Sequence, residues 1–227
     1  MKSFFPKFLV ILNGSADKRT QGRFLLGLFF FFIIMCGIAI GLYPTRFNFF
    51  TNTIDNLGSS EKNPIGSFFF GAGLTILGSL LIPYFIYLLR QLYPTLRLLN
   101  TIAIGAGILG SLSLIWFGFV GEHIRPWHDI AADFVFGSFV TSGFFLFLVF
   151  VRKKWRRERL PRWRHLLLVY SILLLLIAGA AIVPNIFPVE NLDPGFFEWP
   201  FWQWITCVNL AIWLFGVFYL VPYQKMG

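Results

Sequence analysis

Six stretches of this chain are long and apolar enough to cross a bilayer, and none of them contains a Lys or Arg. They cover residues 24–43, 64–89, 98–120, 130–151, 166–183 and 199–221. A helix needs about 20 mostly apolar residues to span the hydrocarbon core. In that core every backbone N–H and C=O must be paired within the protein, which leaves only helices and closed barrels. These runs are continuously apolar and too long for the alternating strands of a barrel. The expected fold class is therefore all-α: a polytopic membrane protein with a bundle of six transmembrane helices. One transmembrane domain over residues 24–221 uses nearly the whole chain. Residues 1–23 form a cytoplasmic or interfacial segment and 222–227 a cytoplasmic tail.

Composition excludes the other classes. Charged residues make up 13% and hydrophobic ones 57%, with a mean hydropathy of +0.72; soluble domains run near 25% charged. Such hydrophobicity also excludes a disordered chain. Two Cys exclude a disulfide scaffold or a Cys-rich zinc module. The apolar run Phe8-Leu9-Val10-Ile11-Leu12 after Lys2 and Lys7 is shorter than the roughly 7–15 residues of a signal core. It reads as a short interfacial segment on the cytoplasmic face.

Orientation follows from the cations between spans. Sixteen Lys and Arg fall at the N-terminus, in the second and fourth connections and at the C-terminus, and three, Arg46, Lys62 and Arg125, fall on the other side. Both termini are expected in the cytoplasm, with the chain multi-pass in the cell membrane. Acids divide the opposite way, so the inner side carries a net +14 and the outer side −5. The basic stretch from Arg152 to Arg164, with Trp155 and Trp163 interleaved, should sit on anionic inner-leaflet headgroups. No folded domain supports nucleic-acid binding. Trp116, Trp127, Trp199, Trp202 and Trp204 near the outer ends form an aromatic belt with Trp155 and Trp163.

Small residues four apart mark expected helix contacts: Gly71, Thr75 and Ser79; Ala103, Gly107 and Ser111; Gly137 with Thr141, and Ser138 with Ser142. Pro83 is expected to kink its span. Cys36 and Cys207, at similar depths, read as isolated thiols.

Any chemistry belongs to the outer face, which gathers eight of the ten acids and two of the three His. The candidate ligand-binding residues are Asp55, Asn56, Glu122, His123, His128, Asp129, Asp133 and Glu198. Pro126 suits the first turn of the fourth helix. Asp129 and Asp133 are then i and i+4 on one side, with His128 about 100° around. An ionisable residue at the depth of Asp133 is costly in lipid and marks a functional site by default. Asp129 also fits the positive end of a helix dipole. Three readings stay open: structural pairing of Asp133 with Arg125 or His128, contact with a polar ligand or lipid headgroup, or a metal held by His128, Asp129 and Asp133. His123 and His128 are five apart, which is not the spacing of a zinc helix. No P-loop, GxGxxG cradle or nucleophile elbow is present, so no cofactor is expected.

These residues also carry a resemblance. Ile54-Asp55-Asn56-Leu57-Gly58, Phe70-Gly71 with Gly73 and Leu74, His128 with Ala131 and Ala132, and Glu198-Trp199 together resemble the damage-regulated autophagy modulator (DRAM) and FGF-receptor-activating-protein family of six-helix membrane proteins. The likeness runs over residues 43–221. Asn56 stands where that family tends to have Asp, and Asp55 where it has Ser. The resemblance implies a membrane protein linked to autophagy, lipid-anchor remodelling or plasma-membrane lipid organisation, with no catalytic residues to transfer.

The leading expectation is a non-enzymatic protein that binds a lipid headgroup or small polar ligand at its acidic outer-leaflet site. The alternatives are a lipid-modifying intramembrane hydrolase or transferase, and a structural subunit of a membrane complex. The Phe-rich faces at 29–32 and 144–150 would suit a second copy or another partner as well as lipid. A transporter ranks last, because no span has a charge near its middle.

Overall fold

The computed structural model describes residues 4–92, 96–121, 124–156 and 199–221, and within these every regular element is helical. The helices are α1 (Phe4–Leu12), α2 (Lys18–Gly41), α3 (Gly66–Leu92), α4 (Arg97–Phe119), α5 (Arg125–Arg156) and α6 (Trp199–Leu220), with a 3₁₀ turn at Asp55–Gly58. Four helices are long and apolar enough to cross a membrane: Lys18–Gly41, Gly66–Leu92, Arg97–Phe119 and Pro126–Arg152. A shorter apolar stretch, Gln203–Tyr219, lies in α6. The expected fifth span, 166–183, and the basic stretch beyond residue 156 lie outside the described residues.

Local chemistry sets the boundaries. α1 ends at the turn Asn13-Gly14, where Gly14 takes φ +68. The Gly14 and Ser15 amides donate to the carbonyls of Ile11 and Val10, both at 3.0 Å, which closes the helix end in the Schellman manner. Gly14 also lies against α3, where an added Cβ would stand 2.7 Å from the Tyr87 amide nitrogen. α2 begins six residues before its apolar run because Asp17 caps it. The Asp17 carboxylate accepts from the Thr20 amide at 3.0 Å and the Thr20 hydroxyl at 2.6 Å. Those bonds stabilise the ionised form and hold its pKa below the ordinary carboxylate value. Asn63 and Pro64 start α3 in the same way. The Asn63 Oδ1 accepts from the Gly66 amide at 3.2 Å, with Pro64 where its missing N–H costs nothing.

α3, α4 and α5 form the antiparallel core. α3 and α4 approach most closely where glycines face each other: a Cβ on Gly71 would lie 2.5 Å from the Gly118 carbonyl oxygen, and one on Gly118 would lie 2.6 Å from that of Gly71. Gly78 packs on the Ser111 backbone, and Gly107 receives the Phe85 ring. α5 follows, with Phe139 packed on Gly110 and against Phe85 at 6.1 Å. Of the expected small-residue faces, Gly71 with Thr75 and Gly107 with Ser111 lie at these crossings. Ser79 does not. It is exposed and its hydroxyl donates to the Thr75 carbonyl at 2.7 Å, which satisfies it within its own helix. On α5 the buried pair is Ser138 with Ser142, whereas Gly137 and Thr141 are exposed. α3 continues through the buried Pro83 to Leu92.

α2 and α6 flank this core. Phe29 meets Phe215 at 4.8 Å, and Tyr87 of α3 meets Phe218 at 6.1 Å. The Tyr84 hydroxyl donates to the Leu214 carbonyl at 2.7 Å, and Lys18 Nζ donates to that of Val221 at 2.7 Å. One end of the bundle therefore holds the starts of α2 and α4 and the ends of α3, α5 and α6. Lys18, Arg19, Arg23, Arg90, Arg97 and Arg152 gather there. Arg46 and Lys62 lie at the opposite end, in the long α2–α3 loop. Both Cys36 and Cys207 are free thiols.

Candidate functional site

The α2–α3 loop folds over the N-terminal end of α6, and polar side chains in a mostly apolar setting fix it there. Trp204 Nε1 donates to the Asn52 carbonyl at 3.0 Å. Its ring meets Phe47 at 5.9 Å and Phe49 at 5.1 Å, both edge-on. Gln203, one residue earlier and buried, uses both ends of its amide. Its Oε1 accepts from the Ile54 amide at 3.2 Å, and its Nε2 donates to Asp55 Oδ2 at 3.1 Å. From the α3 side, Asn63 Nδ2 donates to the Ala39 carbonyl at 3.0 Å and the Leu57 carbonyl at 3.2 Å. The 3₁₀ turn carrying Asp55 and Asn56 is thus held from two sides. Asn56 is buried and accepts from Lys62 Nζ at 2.8 Å.

His128 reaches the same place from the first turns of α5. It is 5% exposed and its ring lies 4.5 Å from that of Phe117 on α4. Its Nδ1 stands 2.9 Å from the Val120 carbonyl oxygen. A carbonyl can only accept, so Nδ1 carries the proton. The other nitrogen, Nε2, is buried without a hydrogen-bond partner and faces Asp55 Oδ1 at 3.9 Å. That distance is beyond hydrogen-bond range. A buried polar atom left unpaired costs about 1–3 kcal/mol, so this pairing is maintained at some expense.

Of the sequence-expected residues, Asp55, Asn56 and His128 therefore come together. Asp129 and Asp133 do not join them; both are exposed on α5, while His128 turns into the bundle. Among the described residues no three His, Cys, Asp or Glu side chains are arranged to hold a metal ion. The set His128, Asp129 and Asp133 is accordingly not a formed metal centre. Glu122, His123 and Glu198 lie outside the described residues. Gln203 and Asn63 escaped the sequence reading. Gln203 was visible as an amide inside an apolar run, and Asn63 as an Asn-Pro pair ahead of a helix. No protein-family model, curated protein or solved structure matches this chain.

Proposed function

We propose that this chain is a six-span membrane protein of the cell membrane, with both termini cytoplasmic, that binds a lipid headgroup or small polar ligand at its outer end without catalysing a reaction. The observation carrying this reading is the buried His128 Nε2 held opposite the Asp55 carboxylate. Ionisable groups at the edge of a bilayer persist where they meet a partner or a ligand. The resemblance to the DRAM and FGF-receptor-activating-protein family supports a role in lipid organisation. The cation-rich end supports the orientation, since cytoplasmic ends concentrate Lys and Arg. α5 supports the placement at the headgroups: its 32 residues measure about 48 Å. They overreach a core of about 30 Å, so its first turn, with Asp129, extends among the headgroups.

Mass spectrometry of molecules retained by the purified protein tests this function. A lipid or polar ligand kept by the wild type and lost together in His128→Ala and Asp55→Asn supports the reading. Equal retention in all three proteins, or none in any, refutes it.

A further inference from the structure

α2 and α6 lie side by side and run in opposite directions. Lys18, at the start of α2, donates to the Val221 carbonyl just past the end of α6 at 2.7 Å. Further along, an added Cβ on Gly22 would meet the Phe218 ring at 2.9 Å, and Phe29 meets Phe215 at 4.8 Å. Gly22, Phe29 and Cys36 follow one another at seven-residue spacing, so they share one stripe of α2. On α6, Cys207 stands eleven residues before Phe218, which returns it to the Phe218 face within about 20°. Counted from the Phe29–Phe215 contact, Cys36 lies seven residues along α2 and Cys207 eight residues back along α6. With a rise of about 1.5 Å per residue, those are about 10.5 Å and about 12 Å in the same direction. The two cysteines are therefore level with each other across the α2–α6 contact. In keeping with that placement, the Cys207 thiol lies within electrostatic range of Cys36. Both thiols are free, partly exposed and packed on the same hydrophobic core.

We infer that Cys36 and Cys207 are a disulfide-forming pair, a site of reversible oxidation that joins α2 to α6. A disulfide needs Cα atoms about 4.4–6.8 Å apart, and facing positions on helices whose axes lie about 8–10 Å apart come that close. The chain has two cysteines in all, so no other intramolecular pairing competes. The oxidant that suits thiols set within apolar helices is a lipid-soluble hydroperoxide. One thiol attacks the terminal peroxide oxygen: an S–O bond forms, the O–O bond breaks, and the alcohol leaves with the thiol proton. The other thiol then attacks the sulfenic sulfur, the S–S bond forms, and water leaves with the second proton. The two sulfurs lose two electrons and the peroxide bond takes them up. The position gives the bond a consequence. Cys207 is one turn after Gln203, which holds Ile54 and Asp55. Cys36 is three residues before Ala39, whose carbonyl accepts from Asn63. The bond ties together the two helices on which the α2–α3 loop is anchored, directly beneath both anchors.

The test uses the full chain in phosphatidylcholine nanodiscs treated with tert-butyl hydroperoxide, and in parallel with copper–phenanthroline. The readouts are intact mass, the number of free thiols after denaturation, and a gel run without reductant. The expected product is a monomer lighter by two hydrogen atoms and without a free thiol, which a reductant returns to two thiols. Its digest should contain one pair of peptides joined through Cys36 and Cys207. The thermal midpoint should rise by about 5–10 °C on oxidation and fall back on reduction. In Cys36→Ser the remaining thiol should stop at the sulfenic acid, trapped by dimedone, with no rise in midpoint. A monomer that keeps both thiols under copper–phenanthroline overturns the inference. So does a disulfide found only between two chains, or oxidation of each thiol by itself to the sulfinic acid. A bond made with copper–phenanthroline and not with the hydroperoxide supports the pairing and overturns the hydroperoxide step. None of these outcomes depends on what the protein binds, so the ligand-binding reading stands or falls separately.

Discussion

Single residues in this protein act through backbone groups that nothing else can satisfy. Gln203 is the clearest case, because one amide serves the Ile54 N–H and the Asp55 carboxylate together. Gln203→Leu keeps most of the volume and removes both bonds. It should cost about 1–3 kcal/mol, read as a lower thermal midpoint in detergent; an unchanged midpoint would mean the loop is held by its aromatic contacts alone. Gly14 has two reasons to be glycine: its φ of +68 and the Tyr87 amide 2.7 Å from where a Cβ would be. Gly14→Ala should destabilise by about 1–3 kcal/mol, in contrast to Gly27→Ala, where nothing lies within 4 Å of the added carbon. Asp17 links capping to acidity. Its pKa is lowered in the folded state by the Thr20 hydrogen bonds. The capping contribution is thus fully present above the unfolded value and is lost as the pH falls through the lower, folded one. Asp17→Ala should cost about 0.5–2 kcal/mol at neutral pH, and the gap between variant and wild type should narrow in acid below pH 3.8. Melting curves at neutral and acidic pH would show whether it does.

At the level of elements, helix association rests on close backbone approach. Within lipid there is no hydrophobic gain from pressing two apolar helices together, so packing and small residues decide. The Gly71–Gly118 crossing is the tightest such contact between α3 and α4. Gly118→Leu puts a branched side chain into backbone and should cost about 1–3 kcal/mol, as overpacking does. Gly137→Leu on α5, where an added Cβ meets nothing within 4 Å among the described residues, should be neutral within error in the same denaturation assay. Equal effects at the two sites would contradict the antiparallel α3–α4 core. This pair of glycines also shows how far spacing carries. Gly71, Gly107 and Gly137 have the same four-residue signature with a small partner, yet among the described residues only the first two meet a neighbouring helix. Periodicity says which residues share a face, while the neighbour that face meets depends on how the helix is rotated in the bundle.

For the whole molecule, the bundle is polar from end to end. Cations collect at one end, and the Asp55–His128–Gln203 cluster at the other. α2 presents Phe30, Ile33 and Ile34 outward, at 57–61% exposure. A soluble protein would not leave such a continuous apolar stripe uncovered, and lipid covers it at no cost. The orientation proposed above predicts that Glu61→Cys, in a background with Cys36 and Cys207 replaced by Ala, reacts with an impermeant maleimide added to intact cells. Cysteines placed at Arg19 and Arg90 should react only after permeabilisation. The reverse pattern would turn the ligand site toward the cytoplasm and remove the outer-leaflet reading.

The apolar runs, their lengths and the uneven placement of Lys and Arg were determined by the sequence alone. Membrane insertion reads hydrophobicity and charge along the chain, and these are local properties. The acidic loops and the candidacy of Asp55 and His128 were legible for the same reason. Tertiary structure alone decided that Asp55, His128 and Gln203, drawn from a loop and two separate helices, would meet, and that Asp129 and Asp133 would face away. That outcome depends on the rotation of α5 and α6 about their own axes and on which helices become neighbours. Those are set by side-chain packing between segments far apart in the chain, which no spacing along a single helix encodes.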